Sequence, residues 1–63
     1  MTRKLWESDN GKYRVLVRKF EDGQITIGSW KVVEGKNKDI RNRDLPEYVK
    51  EKINELRKEI ASM

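Results

Sequence analysis

Tyr13-Arg-Val-Leu-Val-Arg-Lys-Phe20, Glu21-Asp22-Gly23 and Gln24-Ile-Thr-Ile-Gly-Ser-Trp-Lys-Val-Val33 form the stretch that decides the fold of this chain. β-branched and aromatic residues are dense in it, and turn residues flank both runs, which is the sequence signature of a β-hairpin. We therefore expect two antiparallel strands here, at about 12–20 and 24–33, and expect the binding surface to be built on them.

The length of the central turn fixes which residues share a face of the hairpin. In a three-residue loop, Gly23 takes the left-handed conformation and Val17 lies opposite Ile27. Side chains alternate along a strand, so one face is then apolar and the other basic and aromatic. The first face holds Tyr13, Val15, Val17, Ile25 and Ile27, and the second holds Arg14, Leu16, Arg18, Phe20, Thr26 and Trp30. A two-residue turn at Asp22-Gly23 would mix the faces, and a slip of one residue remains open.

A first strand is predicted at about residues 3–8, followed by the turn Asp9-Asn10-Gly11-Lys12. Asn-Gly favours a two-residue hairpin turn in which both central residues have positive φ. That register pairs Trp6 with Val15 and Glu7 with Arg14. Trp6 is therefore expected on the apolar face, in the core or at a dimer contact.

The segment after Val33 leaves two alternatives open. A turn at 34–37 would lead into a fourth strand at 38–43 with Ile40 inward, but Asn and Asp residues make an edge strand and a loop both possible. The segment also carries four cations, Lys36, Lys38, Arg41 and Arg43. They are read either as nucleic-acid contacts or as ordinary charges that protect a sheet edge.

A C-terminal helix is predicted at about residues 45–61. Asp44 and Glu47 have the spacing of a capping box, and Pro46 suits a first helical turn. Apolar residues recur at a spacing of three and four, which makes a narrow seam able to pack on the sheet or on a partner helix. The seam consists of Val49, Ile53, Leu56, Ile60 and Met63.

Together these elements predict a single α+β domain over residues 1–63, an antiparallel sheet of three to four strands followed by one C-terminal helix (ββββα). A 63-residue chain is near the lower size limit for an independent core, so we expect a homodimer, with Trp6 and the helix seam at its core or interface. The chain has no Cys or His, which excludes disulfides, the usual zinc sites and Cys- or His-based catalysis. We expect no enzyme activity, metal or cofactor.

The net charge of +4 is unevenly placed. Residues 1–20 hold six Lys and Arg against two Asp and Glu, whereas the two later thirds are balanced. A local basic patch suggests a polyanionic partner, although a solvated basic surface explains the charge equally well. With no apolar run of membrane-spanning length, we expect a cytoplasmic or nucleoid-associated protein without a membrane partner. The Lys- and Glu-rich composition is typical of thermophiles.

Part of the sequence resembles the transcriptional coactivator family called positive cofactor four. The resemblance lies in Gly11-Lys12-Tyr13-Arg14-Val15-Leu16-Val17-Arg18-Lys19-Phe20, Gly23 and Ile25-Thr26-Ile27, and it covers roughly residues 4 to 60. It implies a dimeric ββββα domain that presents curved sheets to single-stranded DNA. The chain departs from the family at Lys38-Asp39-Ile40-Arg41-Asn42, where the family tends to show a Lys-Gly step and an Ile-x-Leu pair.

The resemblance assigns roles to individual positions. Arg14 and Arg18 match the family's basic strand positions, and Phe20 matches its aromatic at the end of the second strand. Trp30 is similar to a later strand aromatic, and Tyr48 to one in the first helical turn. The residues expected to bind nucleic acid are Arg14, Arg18, Phe20, Trp30, Lys12, Lys36, Lys38 and Arg41.

Residue chemistry supports the same ligand independently, because cations follow phosphates and aromatic rings stack on unpaired bases. The sequence thus predicts a single-stranded DNA-binding protein, with RNA as a possible competitor. Two alternatives remain: a sheet that reads double-stranded DNA or a small chromatin protein, and a protein-interaction or inhibitor module. A further alternative is that Phe20 and Trp30 belong to the core of a sheet apolar on both sides.

Overall fold

The computed structural model describes all 63 residues as a four-stranded antiparallel sheet followed by one C-terminal helix. The sheet order is β1-β2-β3-β4, so each strand pairs with its neighbour in sequence. The predicted ββββα fold is confirmed. The elements are β1 (Thr2–Glu7), β2 (Tyr13–Lys19), β3 (Ile25–Val33), β4 (Lys36–Asp39), a 3-10 turn (Asn42–Asp44) and α1 (Glu47–Ala61).

The central hairpin has the predicted three-residue loop. The Phe20 amide donates to the Gln24 carbonyl at 2.8 Å, and the Gly23 amide donates to the Phe20 carbonyl at 2.9 Å. Gly23 has φ +89°, a conformation that costs glycine little. Val17 pairs with Ile27, so the predicted sorting of the two faces is confirmed.

The β1–β2 hairpin has the predicted pairing but a different turn. Trp6 lies opposite Val15, as expected. The tip is closed by a 2.9 Å hydrogen bond from the Gly11 amide to the Ser8 carbonyl, and only Gly11 has positive φ. Asn10 instead uses its side-chain oxygen, which accepts from the Ser8 hydroxyl at 2.6 Å and from the Lys12 amide at 3.0 Å. The expectation of positive φ at both Asn10 and Gly11 was wrong because the Asn side chain replaces that backbone geometry.

The fourth strand begins earlier than predicted. The turn is the two-residue step Glu34-Gly35, with φ of +52° and +77°, so residues 36 and 37 belong to β4 and not to the turn. Positive φ at both central residues gives a turn whose twist matches that of the flanking strands. The strand predicted at 38–43 is therefore wrong at both ends. Ile40 does turn inward, but it packs against the core after leaving the sheet.

The helix starts later than predicted and has no capping box. Asp44 lies in the 3-10 turn, and the residue at the helix N-cap is Pro46, with no side-chain cap hydrogen bond. Leu45 precedes proline, which disfavours helical backbone at that position, and it is extended with ψ 144°. The same extended conformation lets Leu45 enter the core. The helix therefore cannot begin before residue 47.

The core lies between α1 and the face of the sheet formed by β1 and β2. It consists of Val15, Val17, Leu45, Val49, Ile53, Leu56 and Ile60, all buried, with Trp6, Tyr13, Ile25 and Ile40 partly buried around it. Complete burial of each of the larger side chains contributes about 1.5–3 kcal/mol. Four of the five predicted seam residues, Val49, Ile53, Leu56 and Ile60, are thus covered within one chain and do not by themselves require a second copy. Met63 was wrongly placed in the seam, since it lies beyond the end of α1 and is 69% exposed. At 15 residues, α1 is too short and too polar to cross a membrane.

Candidate nucleic-acid interface

The face of the sheet opposite α1 is covered by no other element, and we call it the open face. Across β1, β2 and β3 its side chains form three rows, and Val32 and Asn37 form a further short row between β3 and β4. The basic row is Arg3, Arg18 and Thr26; the apolar row is Leu5, Leu16 and Gly28; the mixed row is Glu7, Arg14, Trp30 and Asp39. The β2–β3 register predicted from sequence is what aligns these rows.

The indole of Trp30 lies across the backbone of Gly28. A Cβ atom at position 28 would stand 3.0 Å from Cη2 and 3.2 Å from Cζ2 of the indole, closer than ordinary contact allows. Trp30 is half-buried and lies outside the core cluster. With Leu16 and with Leu5, which is 70% exposed, the indole makes an apolar platform on an otherwise polar surface.

The platform borders a shallow depression of about 370 Å³. Its walls are Leu5, Glu7, Arg14, Leu16, Trp30 and Asn37. It is therefore a place where a planar apolar group can contact the indole and the leucines while polar atoms stand at its rim.

Arg14 is held at that rim by two acceptors. Its Nε donates to Oε1 of Glu7 at 3.3 Å, and one terminal nitrogen donates to Oδ1 of Asn37 at 3.2 Å. Exposed pairs of this kind contribute up to about 1 kcal/mol. The Glu7–Arg14 pair expected from sequence is confirmed, and it leaves Arg14 less free for phosphate than its exposure suggests.

Arg18 has no carboxylate partner. Its guanidinium carbon lies 6.0 Å from the centre of the Phe20 ring, within the range of a cation–π contact. Phe20 is half-buried and, like Trp30, outside the core cluster. The alternative in which these two aromatics form a second core is therefore not what the fold adopts.

The structure brings together only some of the cations expected at the site. Arg14, Arg18, Phe20 and Trp30 share the open face. Lys38 pairs with Lys31 while the neighbouring Asp39 pairs with Trp30, so alternation directs Lys38, and with it Lys36, toward the opposite side of the sheet. Lys12 lies in the β1–β2 turn, and Arg41 lies beyond β4.

Tyr48 is engaged on the helix side of the sheet. Its hydroxyl accepts from Nδ2 of Asn10 at 3.0 Å, and its ring meets that of Tyr13 edge-on, with centroids 6.2 Å apart. These contacts fasten the start of α1 to the first hairpin. Tyr48 therefore has a structural role and does not extend the open face.

Sequence reasoning missed several residues of the open face, among them Arg3, Leu5, Gly28 and Asn37. Gly28 had a readable signal, since a glycine inside a strand often marks a close approach of another group. Arg3 and Leu5 become site candidates only once the β1–β2 register aligns them with Arg18 and Leu16. No three acidic side chains are grouped in a way that could hold a metal ion.

A second concavity lies on the helix side, between α1 and β3. This groove has a volume of about 700 Å³, and its walls include Ile27, Ile40, Glu47, Lys50, Asn54 and Arg57. Ile27 is 39% exposed because α1 packs mainly over β2. The groove thus lies beside a part of the apolar sheet face that the single helix leaves open.

Comparison of the chain with family models, curated protein sequences and solved structures gave no significant match in any of the three. The resemblance to the positive cofactor four family therefore stays a prediction that rests on the residues quoted above.

Proposed function

We propose that this protein is a non-enzymatic, single-stranded DNA-binding protein whose ligand lies on the open face. The observation that carries the proposal is the Trp30 indole, spread over Gly28 on an uncovered sheet surface, with the unpaired Arg18 two rows away. An aromatic plane beside free cations is the combination that single-stranded nucleic acid requires.

Each part of the ligand has a counterpart on this surface. An unpaired base can stack on the exposed side of the indole, which typically contributes about 1–3 kcal/mol per base. Leu5 and Leu16 extend the contact on one side of the ring. Phe20 offers a second ring, and Arg18 supplies positive charge next to it.

The chemistry of the platform favours a single strand over a duplex. In duplex DNA the flat faces of the bases are stacked on each other, and a protein reads the polar base edges with hydrogen-bonding side chains. The centre of the open face is apolar, and its neighbouring polar groups, Arg14, Glu7 and Asn37, are bonded to one another. A duplex reader would need those groups free.

A titration with fluorescently labelled oligonucleotides tests the proposal. Wild-type protein should bind a single strand more tightly than the matching duplex at each of two salt concentrations, and the affinity should fall as salt rises because bound phosphates release counterions. Equal or tighter duplex binding would support the duplex-reading alternative. Absence of binding to either at low salt would contradict nucleic-acid binding and favour a protein-interaction module.

The proposal includes a homodimer and a cytoplasmic or nucleoid-associated location, where nucleic acid is available. Support for a second copy comes from the groove between α1 and β3, where Ile27 stays partly exposed. Its rim carries both signs of charge, negative at Glu47 and positive at Lys50 and Arg57, which a second copy can match better than a polyanion can. Light scattering should give a dimer mass that Ile27→Lys reduces to a monomer; a monomeric wild type would contradict this part.

A further inference from the structure

Arg3 and Arg18 are directly opposite each other on β1 and β2, both on the open face and both exposed. Directly opposed residues on one face have Cβ atoms about 4.5–5.5 Å apart. Neither guanidinium takes part in an ion pair, since the three ion pairs of the chain are Lys4–Glu59, Arg14–Glu7 and Lys52–Glu55. Two positive charges are thus adjacent with no acid between them.

This arrangement is unfavourable in the free protein. Like charges directly opposite in a sheet destabilise it, whereas the mixed row of the same two strands joins Arg14 to an acid at the equivalent position. The third member of the basic row, Thr26, has a buried hydroxyl oxygen without a hydrogen-bond partner. Because that oxygen is buried, the basic row offers the two guanidinium groups neither negative charge nor an accessible acceptor.

We infer that Arg3 and Arg18 together bind a phosphate group of the single strand whose base stacks on the platform, an inference that rests on the proposed function. Guanidinium groups present paired donors that match phosphate oxygens, and two of them satisfy a phosphodiester better than one. A phosphate supplies both the charge and the acceptors that this row lacks. Arg3 thereby becomes a phosphate-binding residue, although it lies outside the central hairpin.

The distances between the rows fit this division of roles. Adjacent rows are two residues apart along each strand, which is about 6.8 Å. The basic row thus stands next to the apolar row, at about the span of a sugar and its base. On the far side of the platform, the mixed row carries Glu7 and Asp39, which repel phosphates. The sugar-phosphate backbone is therefore directed to the Arg3 side, with the bases toward Trp30.

The test compares Arg3→Gln with Arg43→Gln, which removes the same charge from an exposed residue of the 3-10 turn. For a short oligothymidylate, Arg3→Gln should weaken binding about tenfold, the low end of the loss expected for one hydrogen-bonded contact with a charged group. The slope of log affinity against log salt should also fall by about 0.7. Arg43→Gln should leave both near the wild-type values, and Trp30 fluorescence should still be quenched at saturation in both variants.

Two further measurements separate a phosphate site from a general charge effect. Replacing phosphates of the oligonucleotide one at a time by neutral methylphosphonates should identify one position that weakens wild-type binding but adds no further loss in Arg3→Gln. At low salt, Arg3→Gln should raise the melting temperature of the free protein by relieving the repulsion, and high salt should remove that gain.

The outcomes distinguish a failure of the proposed function from a failure of the phosphate site alone. If wild-type protein does not bind the oligonucleotide, the proposed function fails and the phosphate site fails with it. If wild-type protein binds with quenched Trp30 but Arg3→Gln behaves like Arg43→Gln, only the phosphate site is overturned. Equal losses from every methylphosphonate position in both proteins would overturn it as well.

Discussion

The indole of Trp30 occupies the space that a side chain at Gly28 would fill, with 3.0 Å between Cη2 and an ideal Cβ at that position. This contact keeps the ring flat on the open face. Gly28→Ala should therefore shift the ring by a few tenths of an ångström and weaken single-strand binding, while the free energy of unfolding changes by only about 1 kcal/mol. Binding isotherms and thermal melts of the variant measure the two effects.

The double variant Gly28→Ala/Trp30→Ala provides the control for that prediction. If glycine acts only through the ring, the double variant should bind no worse than Trp30→Ala alone, because contacting residues are non-additive. A Gly28→Ala protein with wild-type affinity would contradict the proposed role of the glycine.

The two tryptophans should respond in opposite ways to truncation. Trp6 packs against the core, so Trp6→Ala should cost about 3 kcal/mol of unfolding free energy, toward the low end for a truncated aromatic. Trp30→Ala should cost about 1 kcal/mol but remove most of the binding. Denaturant unfolding and oligonucleotide titration of both variants measure these two effects. If Trp30→Ala unfolds the protein and Trp6→Ala abolishes binding, the binding surface lies on the helix side.

Charge reversal should depend on the face of the sheet. Arg18→Glu introduces an acid on the open face and should weaken single-strand binding at low salt well beyond the effect of Lys38→Glu, since Lys38 lies on the opposite side. Both substitutions change the net charge by the same amount, so a simple charge effect would make them equal. Titrations of both variants at one low salt concentration provide the comparison.

Replacing Asp44 tests whether α1 begins at Glu47 without a capping box. A protein typically loses about 1 kcal/mol of stability when a residue that caps a helix is changed to alanine. Asp44 makes no cap hydrogen bond, so Asp44→Ala should leave the midpoint of denaturant unfolding nearly unchanged. A loss of a full kcal/mol would restore the capping box predicted from the sequence.

The central hairpin was predictable because only one of its two candidate turns separates the apolar side chains from the basic and aromatic ones. Glu21-Asp22-Gly23 places the only glycine of the loop at the one position that needs positive φ, and that choice sorts every side chain of β2 and β3. The β3–β4 turn was not predictable in this way. Glu34 adopts positive φ, which non-glycine residues rarely do, so the sequence favoured a longer turn and a later strand.

The candidate site likewise contains residues that the sequence predicts and residues that it does not. Arg14, Arg18, Phe20 and Trp30 follow from the alternation of the predicted strands, and the structure brings them to one face. Lys36 and Lys38 are cations in a nearby segment, which is the only reason that the sequence predicts them at the site, and alternation within β4 directs them to the other side. Arg3 required the cross-strand register of β1, which adjacency in sequence does not provide.

The most direct test of the central claim is the fluorescence of Trp30 during titration with a single-stranded oligonucleotide, in a Trp6→Phe background so that one indole reports. Stacking of a base on the indole predicts saturable quenching whose midpoint matches the affinity from labelled oligonucleotide binding. The matching duplex should quench less at the same concentration. Tight single-strand binding with unchanged Trp30 emission would contradict the claim that the open face is the binding surface.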